Sequence, residues 1–289
     1  MQGIYNILVT PFTKDGDVDE TSLRNLVDFQ ISCGVAGLTI VAILGEGQKL
    51  GDSEWAFVVD TVMDQVKGRV PVLVTVTHLS TKIAIERIRK AEEVGAAGVM
   101  AAPPSMLRNL DSVGDFYRAL GEATSLPIVV QDEPATTGVI MPASFLANTG
   151  HPIIKLEEAP VPQKLSRILQ HNSETKIFGG LGAQYFLEEL ERGAVGTMTG
   201  FSLTEVLVSI YDDFTAGNRD RATETFFKHI PLIRFEFQLG VGLAIRKEVL
   251  RRRGIIACSE IRSPGIRLDA QSHDELTRVL EHVGVSASA

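Results

Sequence analysis

Apolar residues along this chain gather in short runs, rich in Val and Ile, that are hydrophobic at successive rather than alternate positions. They span 4–9, 38–42, 70–76, 98–102, 127–131, 152–155, 176–179 and 195–199. A strand that is apolar on both faces is covered on both, as in a parallel sheet flanked by helices. The stretches between the runs carry the helical period. About eight strand–helix repeats therefore emerge, the number that closes a (β/α)8 barrel.

Local punctuation supports a repeated unit. Asp52-Ser53-Glu54, Ser80-Thr81 and Asp111-Ser112 each offer side-chain oxygens to the orphan amides of a helix start. Three helix-to-strand junctions share a glycine pair: Gly34 with Gly37, Gly95 with Gly98, and Gly193 with Gly196. The first glycine of each pair can end a helix in the left-handed conformation, and the second lets the chain turn into the next strand. A doubly wound open sheet uses the same device, but the runs continue at even spacing to Thr199 with no linker, which favours the α/β TIM barrel. After Thr199 the pattern is helical over 202–250 and again over 272–283, with Arg251-Arg252-Arg253-Gly254 reading as a basic helix end and its cap. The expected organisation is a catalytic barrel over 1–220 and a helical subdomain over 221–289 packed on it. The tri-Arg run reads as a solvated terminus, with phosphate binding as the lesser alternative.

Composition narrows the function. The 289 residues are 44% hydrophobic and 22% charged, with a net charge of -8 that opposes binding to nucleic acid or to anionic membranes. Two cysteines, Cys33 and Cys258, make neither a disulfide framework nor a metal motif. Met1-Gln2-Gly3-Ile4-Tyr5 lacks a basic region followed by an apolar one, and no stretch approaches a membrane span. The expectation is a soluble cytoplasmic protein with a small-molecule partner.

In a barrel, polar residues that end an apolar run are the candidates for chemistry. Lys155 closes the run Pro152-Ile153-Ile154 and puts an amine on a stiff strand, where desolvation favours the uncharged, nucleophilic form. Its structural alternative is a buried ion pair with Glu157 or Glu158. Ile43-Leu44-Gly45-Glu46-Gly47 offers backbone amides to an anion, or is simply a turn with Glu46 as a structural acceptor. Thr77-His78 and Gln131-Asp132-Glu133 present hydroxyl, amide and carboxyl groups suited to a hydroxylated substrate, although a lone His is more often structural. Gly179-Gly180 and Thr197-Met198-Thr199 stand where many barrels bind phosphate, yet neither segment contains Lys or Arg. The six histidines have no metal-ligand spacing, and no glycine-rich dinucleotide fingerprint is found, so neither a metal nor a cofactor is expected.

Taken together, Val9-Thr10-Pro11-Phe12 with Gly16 and Asp19, Gly45-Glu46, Ala102-Pro103-Pro104, the segment 134–138, Ile154-Lys155 and Gly179-Gly180 resemble the dihydrodipicolinate synthase and N-acetylneuraminate lyase family of Schiff-base barrels. The resemblance covers nearly the full length. It implies that Lys155 forms an iminium with a 2-oxo acid and that amides around Leu44-Gly45 receive the carboxylate. It also implies a C-terminal helical segment and a homo-oligomer, dimer or tetramer. Departures are equally informative. The proton-relaying Tyr of the family is replaced by Gln131, the hydroxyl pair before Gly45 by Ile43 and Leu44, a further Tyr by Ser105, and the Arg that contacts the second substrate of the synthases by Thr136. A synthase is thereby disfavoured.

The segments 77–81, 130–135 and 255–260 instead resemble the branch of 2-keto-3-deoxy-sugar-acid dehydratases. The implied reaction is dehydration of an acid such as 2-keto-3-deoxyarabonate through the Lys155 imine. Candidate bases are a water held by Gln131, Thr197 or Thr199, or else His78. Cleavage of a C–C bond, the aldolase alternative, relies on the Tyr that is missing. Rivals of other classes are a phosphosugar isomerase using the Gly179-Gly180 loop with Glu157 as base, and an idle barrel that only binds a 2-oxo acid.

Overall fold

The computed structural model describes residues 1–285. Eight strands, β1 (Gly3–Ile7), β2 (Gly37–Ile40), β3 (Val72–Thr75), β4 (Gly98–Ala101), β5 (Ile128–Asp132), β6 (Ile153–Leu156), β7 (Lys176–Gly179) and β8 (Gly196–Thr199), pair in parallel and in chain order to form a closed barrel. The connecting helices are α1 (Glu20–Ser32), α2 (Asp52–Val66), α3 (Thr81–Glu93), α4 (Leu110–Ala123), the short α5 (Pro134–Thr137) and α6 (Ala143–Leu146), α7 (Val161–His171) and α8 (Phe186–Glu191). Beyond β8 come α9 (Thr204–Thr215), α10 (Arg219–Glu236), α11 (Gly242–Arg252) and α12 (Ala270–Val283). The barrel and its helical extension are as the sequence implies, and α9 plays the part of the eighth barrel helix by packing on β1.

The strand alternation sorts side chains into two cores. Tyr5, Leu73, Met100, Val129, Ile153 and Phe178 fill the barrel interior, with the Tyr5 and Phe178 rings edge to face at 5.5 Å. Val130, Ile154 and Leu156 face outward into the helix layer. By the same period of two, Gln131 and Lys155 share the inward side with Val129 and Ile153, while Asp132 faces α7, where its Oδ2 accepts from Lys164 Nζ at 2.6 Å. Inward residues at the ends of β5 and β6 therefore sit on a solid hydrophobic floor.

The glycine pairs behave as their spacing suggests. Gly34, Gly95 and Gly193 all have positive φ. Their partners are required by close approach: a Cβ on Gly37 would stand 2.2 Å from the Tyr5 ring, and one on Gly196 would stand 1.9 Å from Gly3 O. The helix starts meet expectation in part. Asp52 is the first residue of α2, and Glu54 accepts from the amide of the cap residue Gly51 at 3.0 Å. Asp111 lies inside α4, whose cap is Asn109 accepting from Ser112 N at 2.8 Å. Ser80 precedes α3 without a side-chain capping bond. Glu54 thus supplies the oxygen expected of its segment, Ser80 caps α3 by position only, and the cap of α4 lies two residues before Asp111. The tri-Arg run is a structural feature: Arg251 and Arg252 pair with Glu248, and Arg253 pairs with Glu205 at 2.6 Å.

Candidate active site at the mouth of the barrel

A small cavity of about 110 Å³ opens at the carboxyl ends of the strands. Lys155, Gln131, Glu133 and Glu157 form its polar side, and Ile7, Leu44 and Met198 form an apolar one, with Thr199 at the rim. It is well below the roughly 300 Å³ at which drug-sized sites begin, and fits a short acid.

Lys155 is 4% exposed, and its Nζ lies 2.7 Å from Glu157 Oε2. The same oxygen accepts from Gln131 Nε2 at 2.9 Å, while Gln131 Oε1 is buried with no partner among the described residues. Glu157 is placed by its backbone, whose amide donates to Asp132 O at 2.9 Å and extends the β5–β6 ladder by one residue. Its side chain occupies the space over Gly180, where a Cβ would stand 2.3 Å from Cγ. The amine is thus buried in the barrel as desolvation demands, but it sits against a carboxylate that can exchange its proton, rather than in an apolar socket. Glu158 is engaged elsewhere, on Lys164. Glu133 borders the same cavity; its Oε2 accepts from Thr136 N at 2.9 Å, and burial pushes its carboxyl above the usual range.

At the end of β2, Thr10 Oγ1 donates to Gly45 O at 2.6 Å and Gly47 N donates to Ala42 O at 3.1 Å, which fixes a tight turn. The amides of Leu44 and Gly45 donate to no described residue. Glu46, left-handed at φ 54°, is buried under this turn and pairs with Lys247 of α11 at 2.6 Å and with Lys49 at 2.9 Å, while accepting from Arg262 N at 3.1 Å. Burial of Lys247 pushes its ammonium down, against the pull of Glu46. Glu46 is therefore the fastener of the turn and not part of the cavity wall.

Of the remaining sequence candidates, several lie outside the wall. His78 Nδ1 accepts from Ser80 N at 2.9 Å, and Thr77 Oγ1 accepts from Ala102 N at 3.0 Å. Thr197 Oγ1 donates to Gly179 O at 3.1 Å on the outer side of the barrel. Asp132, held by Lys164, is raised by burial to about 6 despite that partner. Gly179 packs against Glu189 of α8, where a Cβ would stand 1.7 Å from Oε2. Both glycines of the β7 end are thus covered by carboxyl groups, Glu189 outside and Glu157 inside. The space that a phosphate would need beside Gly179 and Gly180 is filled by these two side chains, which counts against the phosphosugar reading. Glu189 itself is fully buried with neither oxygen partnered among the described residues, and burial raises it well above the carboxylate range.

Sequence reasoning did not find Arg246 and Phe237, which reach the cavity from the C-terminal helices beside Gly182. Arg246 is 7% exposed and pairs through Nε with Glu236 at 3.2 Å. Burial pushes the guanidinium down and Glu236 up, each against the attraction of the other. A signal existed: Arg246, Lys247 and Glu248 are consecutive on α11 between Ala244-Ile245 and Val249-Leu250, so a helix cannot turn all three to solvent while burying its neighbours. Among the described residues, no three His, Cys, Asp or Glu side chains group as metal ligands, and no helix is long and apolar enough to cross a membrane.

The profile of the dihydrodipicolinate synthetase family matches residues 1–283. The L-2-keto-3-deoxyarabonate dehydratase of Azospirillum brasilense is 32% identical, with 96% of this chain and 93% of that protein covered. The 4-hydroxy-tetrahydrodipicolinate synthase of Syntrophus aciditrophicus is 30% identical over 98% of this chain and 99% of its own. The crystal structure of a dihydrodipicolinate synthase from Rhodopseudomonas palustris superposes with a TM-score of 0.92 at 33% identity, covering 98% of this chain and 97% of that one.

Proposed function

Because this chain belongs to the dihydrodipicolinate synthetase family, we propose that it is a Schiff-base lyase in which Lys155 binds a 2-oxo acid and that its reaction is dehydration of a 2-keto-3-deoxy sugar acid, such as 2-keto-3-deoxyarabonate. The observation that carries this reading is the Lys155–Glu157–Gln131 arrangement inside the barrel mouth. Glu157 takes the amine proton across 2.7 Å, and the freed lone pair attacks C2 of the substrate. The former carbonyl oxygen leaves as water, with one proton from the attacking nitrogen and the one that Glu157 returns, which leaves a protonated imine and an ionised Glu157. That imine withdraws electrons from C3, whose proton passes to Glu157, giving an enamine. The enamine electrons then expel the C4 oxygen, which leaves as water with the proton that Glu157 returns. A proton then moves from C5 to C3, the resulting C4–C5 enol becomes the aldehyde, and hydrolysis of the imine releases the aldehyde acid and restores Lys155.

Two features support elimination over C–C cleavage. Gln131, at the place of the family phenol, has no pKa fit for taking the C4 hydroxyl proton. Its amide instead orients Glu157. The carboxylate of the substrate meets the unpaired Leu44 and Gly45 amides. We propose also that the protein works in the cytoplasm as a homo-oligomer, dimer or tetramer, and needs no cofactor.

The test is borohydride reduction in the presence of pyruvate, followed by peptide mass mapping. The adduct is expected on Lys155 and absent from Lys155→Ala. An adduct that survives this substitution, or one on Lys176, overturns the assignment. Product analysis on 2-keto-3-deoxyarabonate then decides the reaction: an aldehyde acid is expected, and pyruvate would indicate an aldolase. Pyruvate binding without turnover of any 2-oxo-3-deoxy acid would indicate a sensor.

A further inference from the structure

Arg246 enters the cavity next to Gly182, where a Cβ would stand 3.2 Å from its Nη2 and 2.9 Å from Phe237 Cδ2. Its guanidinium is braced from behind. Nε donates to Glu236 Oε2, and Glu236 accepts in turn from the Ser202 amide at 3.2 Å and from the Ser202 hydroxyl. Nη1 and Nη2 donate to no described residue. Neither nitrogen is among the buried atoms left without a partner, so the outer fork opens onto the cavity and is free to donate to an acceptor there.

We propose that Arg246 donates to oxygen on the distal part of the substrate, beyond C4, and selects 2-oxo-3-deoxy acids that end in a hydroxyl over those that end in a second carboxylate. The inference rests on the Schiff-base reading above. A substrate fixed at C2 to Lys155 of β6 and turned with C1 towards the β2 turn directs the rest of its chain the other way. Gly182 and Arg246 stand there, past the end of β7. Charge decides the chemistry of that end. Glu133, Glu157 and Glu236 already oppose Lys155 and Arg246, and the C1 carboxylate adds another negative charge. A second carboxylate would be desolvated against a guanidinium whose charge Glu236 has met, whereas a hydroxyl accepts the same N–H groups without that cost.

The experiment pairs two measurements on wild type, Arg246→Met and Arg246→Lys: steady-state kinetics on 2-keto-3-deoxyarabonate, and half-saturation of borohydride trapping by pyruvate, which has no distal chain. Arg246→Met is expected to raise KM about 10- to 100-fold with pyruvate half-saturation unchanged within about twofold. Arg246→Lys, which keeps a charge on Glu236, should recover part of the loss and serves as the reading should the Met variant not fold. A parallel rise for pyruvate, or an unchanged KM, overturns the proposal. So does a wild-type preference for the corresponding diacid over the hydroxyl-ended acid. Absence of any wild-type adduct would instead sink the Schiff-base reading, separately from the role of Arg246.

Discussion

Gln131 and Lys155 are register partners on β5 and β6, and one oxygen, Glu157 Oε2, accepts a hydrogen bond from each. Two donors on neighbouring strands fix the direction of that carboxylate more firmly than either alone, because neither strand can shift without the other. The carboxylate's task can therefore be separated from its geometry. Glu157→Gln keeps an oxygen able to accept from both partners and removes the capacity to carry a proton. Turnover is expected to fall about 10²- to 10⁴-fold. The Lys155 adduct with pyruvate should still be trapped, but more slowly, since the amine remains in place and must lose its proton to water. A kcat like that of wild type would take Glu157 out of the proton path.

The fastening of the β2 turn to α11 gives a second expectation. Lys247 is fully buried and is held by Glu46 at 2.6 Å and by Glu260 O at 2.9 Å, with its ammonium 4.4 Å over the Phe12 ring. Removing one member of a buried pair leaves the other charge stranded, at about 3–5 kcal/mol. Glu46 retains Lys49 and the Arg262 amide, so Lys247→Met should fall near the lower end of that range. Denaturant titration measures it. The loosened turn should also raise the half-saturation for pyruvate. An unchanged midpoint in urea would show that Lys49 alone holds the turn.

The parts of this molecule that depend on local pattern were legible. Runs apolar at successive positions marked the strands, and the polar residues that end two of those runs marked Lys155 and Gln131, which the structure then brings together as register partners. The paired glycines marked the turns into strands because both of their reasons, positive φ and close approach, lie within one repeat. What the sequence hid depends on distance along the chain. Arg246 meets Gly182 and Glu236 only after the helices beyond the barrel fold back across its mouth. The role proposed for Glu157 was hidden differently. Its ion pair with Lys155 looked like an alternative to catalysis, whereas the site allows one contact to serve both. His78 is the reverse case, a ring after a strand end whose Nδ1 accepts from the Ser80 amide outside the cavity wall.

The room that Glu157 needs yields a third expectation. A methyl group on Gly180 would lie 2.3 Å from Glu157 Cγ and 2.7 Å from its Oε1, and the side chain would have to swing off Lys155. Gly180→Ala should thus cut kcat by at least tenfold, with a loss of stability of about 1–3 kcal/mol from overpacking. Comparison with Glu157→Gln is the check: the two should be similarly slow, and the double variant little slower than either. Independent, multiplying effects would place the clash somewhere other than on Glu157.

Glu189 gives an expectation in pH. Its carboxyl is buried against Gly179 with no hydrogen-bond partner among the described residues, and burial holds it protonated well above the ordinary value of 4.5. Below about pH 4.5 the folded and unfolded chains both carry the proton, and the group costs nothing. As pH rises past 4.5 the unfolded chain gains by releasing it while the folded chain cannot. Stability is therefore lost with rising pH, by at most about 1.4 kcal/mol per unit, until the raised folded value is reached. Glu189→Gln keeps the shape of the neutral acid without that penalty. Its Tm should match wild type near pH 4 and exceed it by several degrees at pH 7, on a scale of about 2–4 °C per kcal/mol. Calorimetry at the two pH values measures the difference directly. A gain of equal size at both, or a loss at pH 7, would mean that Glu189 is ionised in the folded protein.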